Sequence, residues 1–252
     1  MHDKVYIIAE IGINHEGDAE KCAKMIKAAA EIGVDAVKLQ TINADLNYVV
    51  GSESYKVFKG SELTREETAS AFSLARENDL DVFTTVGDIE TVEWVEKLKP
   101  SCWKISSGLL THIPMVRHLA SLGRPLLIST GMANVDDIDL AVKTAQFAGN
   151  NDISLFQCTS LYPAPINLSN LNSIRTMKET FNVIPGLSDH TLGPTVPIVS
   201  VSLGGKVIEK HFTLSRESGS VDDSFSLIPS EFKEMVDFVR IAEKTLGSIK
   251  YG

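Results

Sequence analysis

Positive charge is in short supply in this sequence: 24 Lys and Arg stand against 33 Asp and Glu in 252 residues, a formal net charge of −9. Surfaces that bind nucleic acid need clustered cations to neutralise phosphates, so no nucleic-acid partner is expected, and an anionic ligand has to be held by a local pocket. No apolar run reaches the roughly 18 residues that a bilayer span requires. The apolar stretch behind Met1–Lys4 is too short for a secretory signal. Cysteine is scarce as well. Cys22, Cys102 and Cys158 are odd in number, widely spaced and set in apolar runs, which reads as buried free thiols in a reducing compartment rather than a disulfide framework. No membrane and a cytoplasmic location are therefore expected. Also missing are a linker, a low-complexity tract and a glycine-rich dinucleotide turn after the first apolar run.

What is present is an alternation. Hydrophobic residues make up 43% and charged residues 23%, enough apolar matter to bury a large core without staples. Short apolar runs of strand length fall at 6–12, 36–40, 81–86, 102–107, 125–130, 153–158, 184–189 and 206–212. Between them lie amphipathic segments such as 18–32, 64–78 and 134–148, opened by the capping residues Asp18, Thr64 and Asn134. Eight such pairs in a chain of this length predict an α/β fold, a (β/α)8 TIM barrel, as a single catalytic domain over 1–252. An open doubly wound sheet has fewer units. The longest irregular stretches, 41–62 and 215–229, both follow strands and should overhang the catalytic face. Residues 230–247 read as one closing helix.

In a barrel, polar residues at the carboxyl ends of strands converge on one site. Here every strand supplies some: Glu10 and Asn14; Lys38 and Gln40; Thr85 and Asp88; Lys104 and Ser107; Ser129 and Thr130; Gln157, Thr159 and Tyr162; Ser188, Asp189 and His190; Glu209, Lys210 and His211. Lys38 and Lys104 interrupt otherwise apolar runs, where an unpaired ammonium is costly. Each needs an anion. A phosphate cradled with the hydroxyls of Ser107, Ser129 and Ser188 is one answer; a structural ion network with Glu10 and Glu209 is another; a Schiff-base lysine is a third. His190 and His211, on adjacent strand ends, suit a divalent transition metal, with His15 a third candidate. His2 and His118 read as surface residues, and His112 has no assigned role.

Seven segments in chain order resemble the sialic acid synthase family, including its relatives that make legionaminic and pseudaminic acids. They are Ala9-Glu10-Ile11-Gly12-Ile13-Asn14-His15, Asp35-Ala36-Val37-Lys38-Leu39-Gln40, Lys104-Ile105-Ser106-Ser107-Gly108, Ser129-Thr130-Gly131-Met132, Gln157-Cys158-Thr159-Ser160 with Tyr162-Pro163-Ala164-Pro165, Gly186-Leu187-Ser188-Asp189-His190-Thr191, and Ile208-Glu209-Lys210-His211-Phe212-Thr213. The resemblance implies a manganese-dependent condensation of phosphoenolpyruvate with an N-acylated mannosamine-like aldose, releasing phosphate. It implies His190 and His211 as metal ligands. Lys38, Lys104, Ser107, Ser129 and Ser188 would surround phosphoenolpyruvate with Thr85 and Tyr162 nearby, while Glu10, Gln40, Glu209 and Asp222 face the sugar or the reacting carbons. Glu209 is the first choice for proton handling and Glu10 the second.

The family also implies a homodimer in which an additional antifreeze-like carboxy-terminal domain lends the partner an arginine. This sequence ends at Gly252, where the linker to that domain would begin, and Arg216 is the nearest internal substitute. In the shortened loop after the second strand, Asn43 and Asn47 are candidates for a sugar-contacting asparagine. Ser220-Val221-Asp222-Asp223 stands where Gly-Pro-Asp-His is common. Two alternatives remain at this point. A related 3-deoxy-sugar acid synthase would need a second phosphate site, for which only Lys210 and Arg216 offer cations. A non-catalytic barrel acting as an assembly partner is the other.

Overall fold

The computed structural model describes residues 4–247, so His2 and Gly252 lie outside the described residues. Among those residues, eight parallel strands close into a barrel in chain order: β1 (Tyr6–Gly12), β2 (Ala36–Thr41), β3 (Asp81–Val86), β4 (Trp103–Ile105), β5 (Leu126–Ser129), β6 (Ile153–Cys158), β7 (Ile184–Asp189) and β8 (Val207–His211). The helices are α1 (Ala19–Ile32), α2 (Ala44–Asn47), α3 (Glu53–Gly60), α4 (Arg65–Glu77), α5 (Ile89–Val95), α6 (Ile113–Ser121), α7 (Val135–Phe147), α8 (Ser173–Phe181), α9 (Thr195–Ser202) and α10 (Pro229–Leu246). The expected TIM barrel is the observed fold. No helix among the described residues is long and apolar enough to cross a membrane.

The strands are apolar on both faces because both are covered. Outward residues such as Ile7, Val37, Trp103 and Ile128 join Met25, Phe72, Val116 and Met235 of the helices in one core. Inward residues Ile8, Ala36, Phe83, Cys102, Leu127, Phe156 and Val207 form a separate cluster, the barrel floor. Side chains alternate with a period of two along a strand. Two positions beyond each floor residue therefore stand Glu10, Lys38, Thr85, Lys104, Ser129, Cys158 and Glu209, a polar layer directly above the apolar one.

The helix starts follow their caps. Asp18 accepts from Glu20 N and Lys21 N, and Thr64 and Asn134 form reciprocal capping boxes with Glu67 and Asp137. The stretch 41–62 departs from expectation: it holds α2, capped by Asn43, and α3, capped by Ser52. Helix α3 has no fully buried residue and is only eight residues long, too short for its apolar spacing to stand out within an irregular stretch. In 215–229 there is a single 3-10 turn at Asp223–Phe225, anchored by the Asp223 carboxylate, which accepts from Thr213, Ser218, Gly219 and Ser220. Strand β4 stops at Ile105 because a 3-10 turn begins at Ser107.

Candidate active site

At the carboxyl end of the strands the polar layer opens into a cleft of about 220 Å³. Glu10, Lys38, Gln40, Thr85, Lys104, Ser107, Ser129, Tyr162, Ser188, His190, Glu209 and His211 all line it. Asp222 lines an adjoining alcove that shares Gln40, Tyr162 and His211 with the cleft.

The charges form a cross-barrel network. Lys38 Nζ lies 2.8 Å from Glu10 Oε1 and donates to Thr85 Oγ1 at 2.9 Å. Lys104 Nζ donates to Glu209 Oε1 at 2.9 Å, and Ser188 Oγ donates to the same oxygen at 3.1 Å. Gln40 Nε2 donates to Glu10 Oε1. These are the lysine-carboxylate pairs of a structural network, yet the network is incomplete. Glu10 Oε2, Glu209 Oε2 and Ser129 Oγ are buried without a hydrogen-bond partner, where a network serving stability alone would be satisfied. The two carboxyls differ. Burial pushes Glu10 up, and Lys38 offsets only part of that. Burial also pushes Glu209 up, but Lys104 and Lys38 outweigh it and hold the group below the usual range.

Backbone geometry at β1 serves this arrangement. Regular register from Ile8 pairs Glu10 with Lys38, and only then does it shift, to Gly12 with Leu39, so the irregularity begins just past the Glu10–Lys38 pair. Gly12 sits at φ +56°, and a Cβ there would come within 3.2 Å of Glu10 Oε1 and 3.4 Å of Gln40 Nε2. Glycine keeps the Gln40–Glu10 hydrogen bond free.

The two imidazoles meet as expected, with ring centroids 5.4 Å apart. His190 Nδ1 is 2.9 Å from Thr159 O; a carbonyl only accepts, so Nδ1 carries the proton and Nε2 keeps its lone pair. Burial, reinforced by the ammonium of Lys38, holds His211 neutral. Its Nδ1 has no hydrogen bond and stands 3.4 Å from Asp222 Oδ2. Two imidazoles facing each other in this way fit a divalent metal. Among the described residues no set of three His, Cys, Asp or Glu converges on one point, so further ligands would come from substrate or water.

Several strand-end residues serve structure. Ser107, besides lining the cleft, accepts at Oγ from Gly131 N at 3.0 Å and donates to Cys158 Sγ at 3.5 Å, so its hydroxyl also ties the loop after β5 to the end of β6. His15 lines a different cavity, between β2, α4 and α5, and its Nδ1 accepts from Gly17 N. Asn43 caps α2, while Asn47 Nδ2 donates to Asn43 O and Asp88 Oδ2. Lys210 is fully buried and pairs with Asp189 at 2.6 Å. Arg216 is held by Glu231 and Ser226 O. Neither cation is free for a second phosphate. Cleft residues not anticipated are Ile42, Tyr48, Phe58, Ser106 and Cys158; Tyr48 and Phe58, two of the three aromatics in the stretch 41–62, were the available signal.

The NeuB family model matches residues 25–251. This chain belongs to the NeuB family. As a NeuB-family member it is 38% identical over 98% of its length to the spore coat polysaccharide biosynthesis protein SpsE of Bacillus subtilis, covering 69% of that protein. It is 36% identical over 96% of its length to an N,N'-diacetyllegionaminic acid synthase of Legionella pneumophila, covering 73%. The solved sialic acid synthetase of Leptospira borgpetersenii serovar Hardjo-bovis, in complex with citrate, superposes with TM-score 0.95 at 28% identity, over 99% of this chain and 87% of that one.

Proposed function

We propose that this NeuB-family barrel is a nonulosonic acid synthase that condenses phosphoenolpyruvate with an N-acylated mannosamine-like aldose and releases phosphate. The observation that carries the reading is the cleft itself. Two buried lysines, two carboxylates with open oxygens and two converging imidazoles occupy one polar layer.

Lys38 and Lys104 are the charge partners for the phosphate and carboxylate of phosphoenolpyruvate, with Thr85, Ser129 and Ser188 completing the cradle; Ser107 and Tyr162 line its edge. Gln40 and Asp222 face the sugar. A divalent metal, manganese as the expected ion, held by His190 and His211 supplies Lewis-acid polarisation of the aldehyde. The methylene carbon of phosphoenolpyruvate attacks that carbonyl, and water captures the positive charge left on the enol carbon. Glu209, held ionised by its lysines, sits where it stabilises that charge. Glu10, whose proton affinity is raised by burial, is the better proton carrier. This reverses the order expected from sequence, because Glu209 has two lysines and Ser188 around it where Glu10 has one lysine and Gln40.

The catalytic unit is a single barrel working as a homodimer in the cytoplasm, a setting that suits the free thiols of Cys22, Cys102 and Cys158. Arg216, engaged by Glu231 and Ser226 O, is not the residue that offers a cation to the sugar. A phosphate-release assay with phosphoenolpyruvate, manganese and a panel of N-acylated hexosamines tests the reading. Release should require both substrates. A folded protein that releases nothing would instead be a non-catalytic barrel.

A further inference from the structure

Phe225 is a buried phenylalanine outside the hydrophobic core. It is 2% exposed, yet it belongs neither to the layer between strands and helices nor to the barrel floor. Its neighbours are the rings of the site. Its centroid lies 4.9 Å from that of His211 with planes inclined by 70°, 6.1 Å from that of His190 at 86°, and 5.4 Å from that of Tyr162. The two steep contacts have the edge-to-face form that aromatic rings favour.

The two imidazoles need such a neighbour unequally. A histidine's terminal torsion is broad, so its ring plane is set by what surrounds it, and a metal ligand commonly fixes that plane by a hydrogen bond from its other ring nitrogen. His190 has that bond, from Nδ1 to Thr159 O, and Tyr162 packs against its ring with centroids 4.3 Å apart. His211 lacks it: its Nδ1 is buried without a hydrogen bond. Contact with Phe225, a closer ring than His190, takes over that task.

The segment that carries Phe225 is tied down at several points. Asn14, wholly buried in the turn after β1, donates from Nδ2 to Ser226 Oγ at 3.0 Å and to Phe212 O at 2.9 Å, and accepts at Oδ1 from Ser220 Oγ at 2.7 Å. It thereby clasps both ends of 220–226, while the Asp223 carboxylate gathers the middle. Asn14 and Asp223 line neither the cleft nor the alcove, so these buried hydrogen bonds serve the segment and not a substrate.

We propose that Phe225 is a positioning residue for the divalent ion: its ring holds the imidazole of His211, and through the ring cluster that of His190, in the orientation in which both bind it. The inference rests on the metal reading above and gives the loop after β8 a role in ion affinity.

Manganese binding to the substrate-free protein, read from the electron paramagnetic resonance of the free ion, should be compared for the wild type, Phe225→Ala, Phe225→Leu and, as a control of similar burial in the outer core, Phe72→Leu. Phe225→Ala should weaken affinity by about ten-fold or more, the scale on which residues behind metal ligands act. Phe225→Leu should fall between it and the wild type, because leucine fills space without a flat ring. Phe72→Leu should lower the unfolding midpoint and leave manganese affinity unchanged. With cobalt(II) in place of manganese, the visible absorption of Phe225→Leu should differ from that of the wild type, and that of Phe72→Leu should not. Wild-type affinity in Phe225→Ala, or in Phe225→Leu should the alanine variant not fold, would overturn the assignment and leave the metal reading standing; so would a loss no greater than that of Phe72→Leu. A folded wild type that takes up no manganese, or uptake unaffected when His190 and His211 are both replaced, would remove both.

Discussion

Lys104 and Glu209 reach each other across the barrel: β4 and β8 are opposite strands, yet Lys104 Nζ is 2.9 Å from Glu209 Oε1 and both side chains are almost wholly buried. Such a pair recovers its desolvation cost only when the remaining polar atoms are also satisfied, and Glu209 Oε2 is not. The open valence is what makes this a binding element.

Phosphoenolpyruvate affinity should therefore depend on this pair. Lys104→Met is expected to weaken binding by about 2–4 kcal/mol, the cost of losing a desolvated charge partner. Isothermal calorimetry showing undiminished affinity would refute the assignment.

The barrel and most of the cleft were legible because strand-end residues obey a strict period. Lys38 and Lys104 stood out as ammonium groups in apolar runs, and His190 and His211 as histidines on neighbouring strand ends. Ser107 lines the cleft as well, but its bonds to Gly131 N and Cys158 Sγ were not legible, because they join groups far apart along the chain. Helix α3 was missed for a different reason. At eight residues, with none fully buried, it is too short for the spacing of Tyr55 and Phe58 to stand out. The relative proton affinities of Glu10 and Glu209 depend on distances to two lysines, which spacing along the chain does not specify.

Metal uptake should require the paired imidazoles. Replacing both His190 and His211 by alanine should reduce bound manganese to background by elemental analysis after dialysis. Stoichiometry equal to that of the wild type would place the metal elsewhere.

Asp189 and Lys210 point outward between the inward His190 and His211 and Glu209, and they lock β7 to β8 through a buried pair at 2.6 Å and a further hydrogen bond from Lys210 to Thr191 O. Removing one partner leaves a buried charge uncompensated. Lys210→Met should cost about 3–5 kcal/mol in urea unfolding, whereas the double change Asp189→Leu with Lys210→Met should recover much of it. Equal losses in the single and double variants would show that the pair does not act as a unit.

Acid sensitivity should be traceable to His15. Burial, reinforced by Lys21, lowers its pKa from 6.5 to about 4. Between those values the unfolded chain binds the extra proton, so stability rises with pH through this window and is complete above about 6.5. The shift is worth up to about 3 kcal/mol at 1.36 kcal/mol per unit. His15→Gln should flatten the pH dependence of unfolding between pH 4 and 6.5. An unchanged slope would assign the acid sensitivity to other groups.

The central claim is that water captures the enol carbon in a carbon–carbon condensation over the Lys38–Lys104 layer, and the fate of the oxygen that bridges carbon and phosphorus in phosphoenolpyruvate tests it most directly. With that oxygen isotopically labelled, and with manganese and an N-acylated mannosamine-like aldose present, mass spectrometry should find the label in the released phosphate and one lengthened sugar acid per phosphate. Unlabelled phosphate would mean that the phosphorus–oxygen bond is cut instead, and phosphate formed without the lengthened sugar would mean that no condensation takes place; either would contradict the account.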